Sequence, residues 1–72
     1  MSVSYKEGDF IIVHNLPFIP EPIYGTFINY VMDRNGAITN FIIIKDSSDG
    51  QRSYYFTGYS RLATETEILL YF

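Results

Sequence analysis

Apolar residues in this chain fall in short runs with strand-like alternation, and the runs are cut by clusters of glycine, asparagine, aspartate and proline. That rhythm predicts strands rather than amphipathic helices. The first expected strand is Asp9 to His14, rich in β-branched and aromatic side chains. Asn15 to Ile23 carries Pro17, Pro20 and Pro22, which remove backbone donors and fix φ, so it reads as an extended loop. Tyr24 to Met32 is the second strand. Asp33-Arg34-Asn35-Gly36 follows, and its Asn-Gly pair signals a hairpin because both residues tolerate positive φ. Ala37 to Lys45 is the third strand, Asp46 to Gly50 a turn, and Gln51 to Thr57 the fourth strand. Gly58 to Ala63 breaks the pattern with room for one helical turn. Thr66 to Tyr71 reads as a fifth strand, although Tyr59 to Leu69, with Ser60 and Thr64 as possible caps, is the one helix candidate. Five short strands in so few residues predict an all-β domain, either a small barrel or two packed sheets, spanning residues 1–72 as a single unit.

The pattern also carries a surplus. A strand with one wet face should show polar residues at every second position. If Ile11 and Val13 face the core, Phe10 and Ile12 face out. If Phe27 and Val31 face in, Ile28 and Tyr30 face out. Phe41 to Ile44 is apolar on both sides. Tyr54 and Phe56 share one face of the fourth strand and Tyr55 takes the other. A domain of 72 residues buries only about 60% of the surface its unfolded chain exposes. The second face must therefore be open, covered by the proline loop through Leu16, Phe18, Ile19 and Ile23, or covered by another chain.

Composition sharpens this picture. There is no cysteine and one histidine, so neither a disulfide nor a zinc site supports the small core. Thirteen Phe and Tyr residues offer large buried areas instead. The opening Met1 to Glu7 has no apolar signal stretch, and no uninterrupted apolar run approaches a membrane span. The expected location is the cytoplasm. The net charge of −3 opposes nonspecific attraction to phosphate backbones.

A family likeness rests on particular segments. Gly8-Asp9-Phe10-Ile11-Ile12-Val13 resembles the opening of SH3-like barrels of the KOW and Tudor type. Gly25 to Val31 is similar to their second strand, Asp46 to Gly50 to their distal hairpin, and Tyr59-Ser60-Arg61-Leu62 to the one-turn helix before their last strand. The resemblance implies a five-stranded SH3-like small barrel with one short helical turn before the last strand. The proline loop after the first strand departs from the short KOW loop. Fold alone assigns no activity.

Candidate chemistry is sparse. Any serine triad would depend on His14, and no Gly-x-Ser-x-Gly element is present. Asp46 and Asp49 share a turn, where Asp ordinarily bonds backbone amides, and Glu65 and Glu67 lie near the chain end. Asp46 to Gly50 lacks the ligand count and downstream Glu of a calcium loop. No glycine-rich phosphate cradle exists. The expectation is a protein that is not an enzyme and has no catalytic residue, metal or cofactor.

What remains is the aromatic surplus. The leading expectation is an interaction module that binds a protein partner, or itself as a homo-oligomer, through Phe10, Ile12, Ile28, Tyr30 and Tyr54. A charge at Ile28 or Tyr30 would then break assembly without unfolding the chain. Its size and lack of catalytic motifs resemble accessory or inhibitor proteins of phages. An alternative is a single-stranded nucleic-acid-binding barrel that stacks bases on Tyr54 beside Arg52, Lys45 and Arg34, with Tyr30 near and Arg61 adding charge, against the acidic total. A third reading is an aromatic cage for a small cation or nucleobase from Tyr24, Tyr54, Tyr55 and Tyr59.

Overall fold

A computed structural model describes residues 4–72. The first three residues of the opening segment lie outside it. Five strands form one antiparallel sheet in the order β4-β3-β2-β1-β5, where β1 is Phe10–Val13, β2 Ile23–Met32, β3 Ile38–Asp46, β4 Arg52–Phe56 and β5 Ser60–Leu62. A 3-10 turn, Thr57–Tyr59, leads directly into β5, and a helix, α1, spans Glu65–Tyr71.

The turns show why the chain reverses where it does. At the β2–β3 hairpin, Gly36 N–H donates to Asp33 C=O and Asp33 N–H to Ala37 C=O, while the Asp33 carboxylate accepts from the amides of Asn35 and Ala37. Only Gly36 takes a positive φ, +81°. The turn thus uses one left-handed glycine at its end, with the Asp33 side chain satisfying the Asn35 amide. Gly25 serves a close approach instead: a Cβ there would lie 2.6 Å from the Lys45 carbonyl oxygen.

The core fills the concave face. Ile11, Val13, Phe27, Ile42 and Ile44 are buried there, with Leu16, Ile23, Tyr30, Tyr55 and Tyr59 packed around them. Tyr5 joins them from the segment before β1, its hydroxyl 2.8 Å from Ser60 Oγ and its amide donating to the Tyr30 hydroxyl at 2.7 Å. Among the described residues no buried side-chain nitrogen or oxygen lacks a partner.

Two expectations are corrected here. The fifth strand is Ser60–Leu62, and the segment expected as a strand, Thr66 to Tyr71, is helical. Thr64 caps α1 in a reciprocal box with Glu67, each satisfying the other's backbone amide. Tyr30 faces the core rather than outward, because the β2–β3 register slips between Phe27 and Asn29 and the bulge reverses the alternation after Ile28. The proline loop gives Leu16 and Ile23 to the core and leaves Phe18 95% exposed.

Candidate interaction face

The convex face of the sheet divides into two halves. On the β1–β5 side, Phe10, Ile12, Tyr24 and Arg61 point outward, since Ile12 stands opposite both Tyr24 and Arg61. The C-terminal segment lies over them. Tyr71 stacks on Tyr24 with centroids 4.6 Å apart, Phe72 meets Phe10 at 4.9 Å, and it meets Tyr24 edge-on at 5.8 Å. Ile12 is left 2% exposed. It is therefore not a docking residue, and the physical reason is that the chain's own end covers it.

One polar clamp holds this cover. Arg61 grips Glu67 with both guanidinium arms, Nη1 to Oε1 at 2.7 Å and Nη2 to Oε2 at 2.6 Å. The Arg61 bonds and the Thr64 amide hold the Glu67 carboxyl down from 4.5 to about 2. Hydrogen bonding to Glu67 likewise raises the Arg61 guanidinium. Burial pushes the Tyr24 phenol above its ordinary value, and Tyr71 beside it adds to the shift.

On the β3–β4 side the same face is bare. The ladder sets Phe41 opposite Phe56, Ile43 opposite Tyr54, and Lys45 opposite Arg52. Phe41 and Phe56 meet edge to face at 5.8 Å. Phe41 is 48%, Phe56 42% and Tyr54 66% exposed. Lys45 and Arg52 close one end of this patch. Neither forms an ion pair among the described residues. Glu7, Thr26 and Ile28 border them in a shallow depression of about 420 Å³.

The structure thus sorts the expected site residues. Tyr54, Arg52 and Lys45 come together. Phe10 stays at the margin of the covered half, in contact with Phe72. Ile28 is half-buried at the bulge, and Tyr30 and Ile12 are withdrawn. Arg34 sits in the β2–β3 turn, at the far end of β3 from Lys45. Phe41, Ile43 and Phe56 belong to the patch and are not among the residues expected at the site. Strand parity was the available signal for them. The four tyrosines considered for a cage are spread apart: Tyr24 lies under the C-terminal segment, Tyr54 on the bare half, and Tyr55 and Tyr59 against the core.

His14, at the end of β1, uses its backbone amide to bond the Tyr59 carbonyl. Among the described residues no three His, Asp or Glu side chains converge on a cation site, and no helix is long and apolar enough to cross a membrane. No family model matches the chain, and no curated protein or solved structure matches it.

Proposed function

We propose that this chain is a non-enzymatic interaction module, built as an SH3-like small barrel, that holds a protein partner on the bare half of its convex face. The strand order, and the 3-10 turn immediately before β5, support the barrel reading. One observation carries the function: Phe41, Tyr54 and Phe56 stand exposed side by side, although Tyr71 of the same fold stacks over Tyr24 of β2. Large aromatics on one rigid sheet supply contact area at little entropic cost. The Lys45–Arg52 pair favours a partner whose apolar centre is flanked by carboxylates, because like charges directly opposite one another repel until an acid joins them.

A photo-crosslinking residue placed at Tyr54, in cells that naturally make the chain, should trap a discrete protein species. The same residue at exposed Phe18 should not, and Phe41→Glu should abolish the Tyr54 product while leaving thermal unfolding unchanged. Equal trapping from both positions would overturn the proposal.

A second reading has its own observation in favour. Tyr54, Lys45 and Arg52 share one face, as a platform for stacked bases beside phosphates requires. Titration with labelled single-stranded oligonucleotides at low salt separates the two. Binding that falls steeply with salt favours nucleic acid. Flat anisotropy at high protein concentration removes that reading.

A further inference from the structure

The outward side chains of β3 and β4 stand in rows across the convex face: Lys45 opposite Arg52, Ile43 opposite Tyr54, and Phe41 opposite Phe56. Thr26 of β2 extends the first row, opposite Lys45. Asp46 N–H donates to the Gln51 carbonyl at 2.8 Å, so that pair is bonded and the adjoining Lys45–Arg52 pair is not. Unbonded pairs hold their side chains closest, and like charges so placed repel. The fold does not relieve them. Arg61–Glu67 is the one ion pair among the described residues. The nearby turn has two carboxylates, but Asp46 accepts from the Ser48 amide and hydroxyl, and Asp49 from the Gln51 amide. Glu7 borders the same depression without pairing to either cation. Lys45 and Arg52 against Glu7 leave a single positive charge there, which one carboxylate cancels.

Resting on the interaction-module reading, we infer that this depression seats one carboxylate of the partner, on an extended segment whose Asp or Glu lies two residues from one large apolar side chain and four from another. The Arg52 fork takes both carboxylate oxygens and Lys45 a remaining lone pair, with the Thr26 hydroxyl in the same row. The spacing follows from the sheet. Each row is two residues from the next on both strands. An extended segment lying along β4 presents alternate side chains on one face at the same repeat, about 6.5–7 Å. With its acid at the cation row, the next side chain of that face meets Ile43 and Tyr54, and the one after meets Phe41 and Phe56. A single-stranded nucleic acid matches the rows less well. It carries a phosphate at every base, whereas only the first row is cationic.

Short peptides blocked at both ends test the spacing on the full chain. The first has Glu at its first position and Leu at its third and fifth, with Ser between. The second reverses that order, and the third exchanges Glu with the neighbouring Ser. In a magnetic-resonance titration of the isotope-labelled chain, the first or second peptide should move the backbone amides of Arg52, Tyr54 and Phe56. Its dissociation constant should lie at least about threefold below that of the third. Arg52→Gln should erase that preference, and Glu7→Gln, which removes the opposing charge, should tighten the preferred peptide. No shift from either spaced peptide at millimolar concentration, an equal response to the third, or a preference that survives Arg52→Gln would overturn the seat. So would a single-stranded oligonucleotide that moves the same amides while the peptides are silent. Crosslinking separates this inference from the module reading: Lys45→Gln combined with Arg52→Gln should cut the Tyr54 product. An undiminished product would overturn the carboxylate seat and leave the module standing, whereas no product from the unaltered surface would remove the module itself.

Discussion

The two halves of the convex face begin from the same sequence rule and end differently. Both carry large apolar side chains at outward positions: Phe10, Ile12 and Tyr24 on one half, Phe41, Ile43, Tyr54 and Phe56 on the other. The first half is roofed by Tyr71 and Phe72, locked down through Arg61, Glu67 and Thr64. The second has no roof among the described residues. Outward apolar residues thus mark a surface that needs covering, and only the topology says whether the chain covers it itself.

The sharpest break of this comparison is a charge on each half. Ile12→Asp places a carboxylate under the roof, where an unpaired buried charge costs several kcal/mol, about 3–5, and a domain this small should unfold. Tyr54→Asp should change stability by no more than about 0.5 kcal/mol, because the site is already wet. Denaturant midpoints of the two variants check the contrast. Equal loss in both would mean that the halves are equally buried.

Removing the helix cap comes next. Thr64→Ala leaves the Glu67 amide without its acceptor and should cost about 1 kcal/mol. The lost stability should appear with increased dye binding to the uncovered Ile12 surface, whereas the protection of Ile42 amide exchange falls only with global stability.

The smallest effect is acid loosening of the roof. The Glu67 carboxyl lies at about 2 in the folded chain, below its ordinary 4.5, so folding favours the charged form. Its contribution is fully present above pH 4.5 and drains away as pH falls toward about 2. The near-ultraviolet signal of the stacked Tyr24 and Tyr71 should fade across that window. Arg61→Gln should move the fade to higher pH; no movement would mean that Arg61 does not hold the carboxyl.

Most of the sheet was legible in the sequence. β1 to β4 announce themselves because their strand-like residues are cut by turn residues, Asp33 to Gly36 and Asp46 to Gly50, whose side chains bond the local backbone. The chain end was not. Thr64-x-x-Glu67 is a readable capping box, but Ile68 to Phe72 is a short apolar run that periodicity alone cannot assign. That ambiguity conceals the roof in the sequence, and with it the burial of Ile12. Tyr30 was misplaced for a different reason: the bulge at Ile28 carries no glycine to announce it, and one extra residue exchanges the faces of everything after it. The Tyr54, Lys45 and Arg52 grouping survived because β3 and β4 pair without a slip.

Hydroxyl-radical footprinting of the dilute chain asks the central question directly, since it reads each ring's access to water. Tyr54 should oxidise many times faster than Tyr24. Comparable rates for Tyr54 and Tyr24 would contradict the division of the face into a roofed half and an open one.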